Sequence, residues 1–167
     1  MHRLARVGDL PAIVTIYNET IPSRMVTADL EPVAVESRRA WFDDHHNPSR
    51  PLWVVEQDGV IAAWLSLSSF YGRPAYRCTA EVSVYVAKRS RHQGIASYLL
   101  QAAAAAAPQL GLHTLLACIF GHNEPSLGLF ARCGYQQWGL LPGVATLDDV
   151  DRDLIILGLR TGPPAPC

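Results

Sequence analysis

The chain has 167 residues, the size of one ordinary domain. Hydrophobic residues make up 49% and charged residues 17%, which excludes a disordered segment. The 14 basic and 15 acidic residues nearly cancel and Lys88 is the only lysine, so no polybasic surface serves nucleic acid or an anionic membrane. No apolar run approaches the roughly 18–20 residues of a membrane span, and the opening Met1–Arg6 leads into a polar segment, unlike a signal peptide. Cys78, Cys118, Cys133 and Cys167 are scattered without a Cys-x-x-Cys pair. They read as buried free thiols, with a reducing cytoplasm as the default location.

Asp9 is placed to cap a first helix with Pro11 in its first turn. A second helix is expected over 34–46, with Ala40, Trp41 and Phe42 as its bulky contacts. Residues 52–56 and 60–69 read as strands joined by the turn Gln57-Asp58-Gly59. A third strand, 79–87, alternates: Ala80, Val82, Val84 and Val86 share one face, and Thr79, Glu81, Ser83 and Tyr85 the other. A basic turn, Lys88–Gln93, precedes a helix over 94–107 that carries six successive alanines and should end or kink at Pro108. Strand 115–120, a helix over 124–133 closed by Gly134, and strands 136–141 and 154–159 follow. The order β-α-α-β-β-β-α-β-α-β-β describes one mixed α/β sheet. Residues 1–160 form a single domain and 161–167 a proline-rich tail.

The segment that carries chemistry is strand, basic turn, helix, from Val82 to Ser97. A helix N-terminus offers unpaired N–H groups and partial positive charge to a phosphate. Gly94 and Ala96 permit close approach, and Lys88, Arg89 and Arg91 add charge. The nucleotide fingerprints Gly-x-x-x-x-Gly-Lys-Ser/Thr and Gly-x-Gly-x-x-Gly are absent; the bland alternative is small residues chosen for close helix–strand packing. Glu81 is the only acid between Asp58 and Glu124. On an otherwise apolar or neutral strand its pKa should rise by desolvation, as a general base near neutrality requires; a salt bridge to Arg73 or Arg77 is the alternative. His45, His46 and His122 lack the acidic partners of a metal site.

Arg91-His-Gln-Gly94-Ile-Ala96 resembles the Arg/Gln-x-x-Gly-x-Gly/Ala acetyl-coenzyme A signature of the GNAT N-acetyltransferases. Ile16-Tyr17-Asn18-Glu19, Leu30-Glu31-Pro32-Val33, Ala75-Tyr76-Arg77, Thr79–Val86, Gly111-Leu112-His113 and Asn123-Glu124-Pro125-Ser126, spread in order over residues 16 to about 143, resemble the phosphinothricin N-acetyltransferase subgroup. The resemblance implies the GNAT acyl-coenzyme A N-acyltransferase fold, a central twisted mixed sheet with helices on both faces. It implies direct transfer of acetyl, in a ternary complex, from acetyl-coenzyme A (acetyl-CoA) to the primary amine of a small amino-acid-like acceptor. Acetyl-CoA is the co-substrate, no metal is involved, and homodimerisation is expected. A protein N-terminal or lysine acetyltransferase, or a coenzyme A-binding relative without activity, stays open as an alternative.

By the same resemblance the pyrophosphate sits on the amides of Gln93, Gly94, Ile95 and Ala96, with Arg91 and Ser97 beside it. Val84 and Val86 offer strand backbone to the pantetheine arm in a splay beside strand 115–120. Asn123 contacts that arm near the thiol or simply caps the following helix. Glu81 is the base. Arg73 and Tyr76 match an Arg-x-x-Tyr pattern, so that Arg73 clamps an anionic end of the acceptor. Tyr85 orients the amine. Packing is the plain alternative for both tyrosines.

Two departures from the subgroup are visible. Phe130 occupies the position where many GNAT enzymes place a tyrosine that protonates the leaving thiolate. Residues 147–153 read Leu-Asp-Asp-Val-Asp-Arg-Asp where relatives carry Lys-x-Gly-x-Trp-x-Asp, and Tyr71 replaces a lysine. The extra acids point away from a doubly anionic acceptor, toward a less acidic amino-acid analogue or a cationic amine.

Overall fold

The computed structural model describes residues 1–162. Among them, in chain order, are β1 (His2–Leu4), α1 (Leu10–Asn18), α2 (Arg39–Asp44), β2 (Leu52–Gln57), β3 (Val60–Ser69), β4 (Thr79–Val86), α3 (Ile95–Ala106), β5 (Thr114–Phe120), α4 (Glu124–Arg132), β6 (Gln136–Leu147) and β7 (Val150–Arg160). The element order is the expected one. The strands form a seven-stranded sheet ordered β1-β2-β3-β4-β5-β7-β6. Only the β4–β5 pair is parallel.

Strand alternation builds one core on each face of the sheet. Val55, Ala80, Val82, Leu115 and Ala117 pack toward α3 and α4 with Leu99, Leu100 and Phe130. Leu52, Val54 and Trp64 pack on the opposite face with Leu10, Ile13 and Val14 of α1 and Phe42 of α2. Helices therefore cover both faces. The alanine run serves this packing: Ala103 and Ala107 are fully buried, and their small side chains bring α3 close to the sheet. The α-helix stops at Ala106, and Pro108 sits in a 3-10 turn over Ala107–Leu110.

The β2–β3 turn follows expectation, with Asp58 at φ +51° and Gly59 at +76°, the left-handed pair that a two-residue hairpin needs. The last hairpin is longer than its periodicity suggests. Its strands run through 142–153 because the chain absorbs Pro142 and Gly143 as an irregularity between Leu141 and Ala145 on edge strand β6. Asp148 and Asp149, at φ +49° and +62°, make its turn.

Other details differ from the sequence reading. The second helix resolves into a 3-10 turn, Glu36–Arg38, followed by the six-residue α2. Asp9 does not cap α1 with its side chain; its carboxylate accepts from the Arg6 amide (2.7 Å) and pairs with Arg3 (2.6 Å). Cys118 is a free thiol at an exposed position, and Cys133 is a free, half-buried thiol packed against the core on the α3–α4 face. Cys78 is not a free thiol, and Cys167 lies outside the described residues. Of the tail, Thr161 is held by His113 and Leu112 (both 3.1 Å), and 163–167 lie outside the described residues. No helix among the described residues is long and apolar enough to cross a membrane.

Candidate active site

The site begins with a failure of strand pairing. β4 and β5 are paired only from Thr79↔Thr114 to Glu81↔Leu116. Beyond that rung β4 stays with β3 as far as Val86, and β5 stays with β7 as far as Phe120. The two strands splay, leaving β4 main-chain groups after Glu81 without a β5 ladder, as the resemblance leads one to expect.

A cleft of about 790 Å³ fills the splay and continues along the N-terminus of α3. Val84, Val86, Arg91, Gly94, Ile95, Ala96, Ser97 and Asn123 all line it. Gly94 is the N-cap of α3 at φ +77°, and no side chain caps the helix. Its first N–H groups are therefore open to an anionic ligand. A Cβ at Gly94 would meet nothing within 4 Å, so the protein itself leaves that approach clear. This donor set fits a coenzyme A pyrophosphate. Lys88 and Arg91 line the cleft, but Arg89 turns away to the Ile61 carbonyl (2.8 Å). Gln93 is not among the lining residues, and its side chain bonds Gln57 (3.1 Å). Ser90 and His92 line the cleft in addition.

Asn123 is buried, accepts from the Ser126 amide (3.2 Å) and donates to the Met25 carbonyl (2.9 Å). It is a helix cap and also a tie. Beside it His122 Nε2 bonds the Arg24 carbonyl (2.8 Å), and the Arg24 guanidinium pairs with Asp148 (2.8 Å). These contacts hold the loop after α1, whose Met25 and Val26 form one wall of the cleft. Phe130 also lines the cleft, packed edge-on against Tyr135 at 4.9 Å.

A second cavity, of about 230 Å³, lies on the opposite face of the sheet under α1 and α2. Its floor is a ladder of cross-strand pairs that point the same way: Trp64↔Tyr85, Ser66↔Ser83 and Ser68↔Glu81. Trp64 and Tyr85 stack at 4.3 Å, and Trp64 is fixed from behind by its indole N–H donating to the Ile13 carbonyl (3.1 Å). Tyr17, Val33, Arg38 and Trp41 form the roof. Asn18 clamps the Val33 main chain in both directions at 3.0 Å, and Arg38 lies over the Tyr17 ring while pairing with Asp29 (2.7 Å). Tyr17 also donates to Asp29 and shares a hydrogen bond with Thr27.

Glu81 sits on the last paired rung before the splay. Burial raises its carboxyl pKa above the usual range, and no ion pair offsets that shift. Arg77 turns back to Pro74 (3.5 Å). Ser83 and Tyr85 line both cavities, so the two spaces meet just beyond Glu81. Cys118, on the cleft side, has its thiol pushed up to about 11 by burial and the Glu81 charge. It faces the cleft as a thiol, a weak nucleophile at neutral pH.

The structure places Tyr85 on both cavities and Glu81 on the smaller one, but leaves Arg73 and Tyr76 on the exposed loop between β3 and β4, lining neither cavity. There Tyr76 packs with Phe70 and Tyr71. The cation at the smaller cavity is Arg38. The acids of 148–153 line neither cavity: besides the Arg24–Asp148 pair, Asp151 accepts from Thr146 (2.9 Å) and Asp153 from the Gly143 amide (2.8 Å). His45 and His46 bond different carbonyls, Trp41 (2.7 Å) and Asp43 (3.0 Å). Sequence reasoning missed Tyr17, Arg38, Trp41, Trp64, Ser66 and Ser68. A usable signal was present: Trp64, Ser66 and Ser68 share parity on β3, and Ser66 is a buried hydroxyl in an apolar strand.

Comparisons with known proteins identify the family and the fold. The acetyltransferase (GNAT) family matches residues 11–135. A Bacillus subtilis protein named "Putative phosphinothricin acetyltransferase YwnH" is 56% identical, covering 93% of this chain and 96% of the relative. The L-methionine sulfoximine/L-methionine sulfone acetyltransferase of Pseudomonas aeruginosa is 33% identical, with 96% and 94% covered. The structure of yncA from Salmonella typhimurium, solved with its cofactor acetyl-CoA, superposes with a TM-score of 0.93 at 26% identity, covering 100% of this chain and 96% of that one. By family match, sequence identity and superposition the chain belongs to the GNAT family of acetyl-CoA-dependent N-acetyltransferases, close to the phosphinothricin acetyltransferase subgroup.

Proposed function

We propose that this enzyme acetylates the primary amine of a small amino-acid-like acceptor by direct transfer in a ternary complex, with Glu81 as general base. The observation that carries the reading is the position of Glu81. It faces the 230 Å³ cavity on the rung where β4 and β5 part, next to the residues that open into the cofactor cleft. The cavity has room for a small molecule and is walled by aromatic rings, which suits a compact side chain better than a peptide. Relatives named for phosphinothricin, methionine sulfoximine and methionine sulfone support an acceptor of this class.

Acetyl-CoA, held on Gly94, Ile95, Ala96 and the β4 edge, supplies the thioester carbonyl. The residues of this chain do the rest. Aromatic walls exclude water, and Glu81 removes a proton from the acceptor ammonium, freeing the nitrogen lone pair. A carboxylate kept basic by burial and free of an ionic partner is suited to that step. Arg38 supports the carboxylate end of the acceptor, because it is the cation on the cavity wall. Phe130 has no proton to give, so the thiolate leaves by another route, and Cys118 takes no covalent part.

Thiol release from acetyl-CoA, measured over amino-acid sulfones, sulfoximines, phosphinates and polyamines, tests the acceptor class. Turnover of the amino-acid analogues is expected. Silence across them, or turnover of polyamines alone, overturns the reading.

A further inference from the structure

Behind the Glu81 cavity lies a half-buried imidazole for which the acetyl-transfer chemistry so far has no use. His45, at the end of α2, is bonded at both ring nitrogens. Its Nδ1 lies 2.7 Å from the Trp41 carbonyl and its Nε2 3.3 Å from Ser68 Oγ. A carbonyl oxygen can only accept, so Nδ1 carries the ring proton. Burial disfavours a second proton, and the charged groups near the ring are Asp44 on its own segment and Glu81 across β3. Nε2 is therefore a lone pair, and the Ser68 hydroxyl must donate to it.

That bond fixes the polarity of the cavity floor. With its hydrogen committed backward to His45, Ser68 presents only oxygen lone pairs to the cavity, directly across the β3–β4 rung from Glu81. Cross-strand neighbours of this kind have Cβ atoms about 4.5–5.5 Å apart, a spacing one amine nitrogen can bridge. Without His45 the free hydroxyl would turn to the nearest anionic acceptor, the Glu81 carboxylate, and weaken it as a base.

We infer that Ser68, set by His45, is the second acceptor of a two-point cradle for the acceptor's primary amine: Ser68 Oγ takes one N–H as a hydrogen bond while Glu81 removes another proton. The inference rests on the acetyl-transfer reading above and assigns Ser68 to binding and His45 to positioning. The step balances simply, since one N–H bond of the ammonium breaks, one O–H bond forms on Glu81, and Ser68 and His45 end as they began.

The test is steady-state kinetics with the acceptor amine and acetyl-CoA varied separately. Ser68→Ala is expected to raise the amine KM about 10-fold, the loss of one hydrogen bond to a charged group, with the acetyl-CoA KM unchanged. Ser68→Thr should restore most of the loss. His45→Phe, which keeps a ring against Trp41, should raise the amine KM similarly, and the double variant should be no worse than either single one. Equal effects on both KM values, no rescue by threonine, or additive losses in the double variant would overturn the cradle. Failure of the Glu81 reading registers elsewhere, as undiminished kcat in Glu81→Gln.

Discussion

The two cavities that meet at Ser83 and Tyr85 are built by different means. The larger cleft offers a ligand main-chain groups: an unpaired strand edge, the uncapped start of α3, and small residues that stay out of the way. The smaller cavity, the proposed acceptor site, is made of side chains from α1, α2, β3 and β4 and of the loops that Asn18 and Asp29 tie down. A backbone-built site tolerates many side-chain changes but fails when backbone geometry or approach is blocked. A side-chain-built site can be retuned one residue at a time. Glu81, the proposed base, sits on the seam.

The largest expected effect breaks the seam itself. Glu81→Gln should lower kcat by about 100- to 10,000-fold, the usual contribution of a general base, with acetyl-CoA affinity nearly unchanged by calorimetry. The same variant should melt at a higher temperature than the parent near neutral pH. Burial raises the Glu81 pKa, so the folded state holds its proton more tightly than the unfolded chain, and ionisation costs stability as pH rises through the folded pKa. The gain in Tm should fade below the ordinary carboxylate range. For the same reason kcat/KM should climb with pH on an acidic limb that Glu81→Gln lacks.

Gly94→Glu tests the backbone-built half. It combines a side chain at φ +77° with a negative charge where the pyrophosphate approaches, and should weaken acetyl-CoA binding by about 100-fold or more. Retained affinity would remove the helix start from the cofactor site. Arg38→Met tests the side-chain half: the KM for an acceptor with a free carboxylate should rise about 10-fold, while the corresponding amide should be little affected. Equal losses for both would mean that Arg38 only braces Asp29 and Tyr17. Asp148→Ala, which removes a solvent-screened pair to Arg24, should change the acetyl-CoA KM by no more than about twofold. A larger effect would make the last hairpin part of the cofactor wall.

The same division explains what could be read in advance. Residues 82–97 are contiguous, so strand, turn, glycine and helix announce the cofactor cleft without knowledge of the fold. Glu81 was legible for a similar reason, as a lone acid on an alternating strand. Arg38, Trp41, Ser66 and Ser68 were not, because their meeting depends on the β3–β4 register and on where α2 lands on the sheet. Arg73, read from a local pattern, lies outside both cavities, where only the course of the β3–β4 loop decides its place. Arg89 fell in the right segment, yet Ile61 from the neighbouring hairpin claims its side chain.

The acids of 148–153 make the point most simply. Their charge could be counted in the sequence, but its use could not, because a hairpin longer than its apolar periodicity suggests places them at its tip and along its edge. By itself the sequence determined the elements and their order, the two apolar faces of the sheet and the glycine-led helix start, because each follows from local periodicity and adjacent residues. Only the tertiary structure decided which distant side chains enclose the smaller cavity, because that follows from strand register and helix docking, where many weak contacts settle the outcome together.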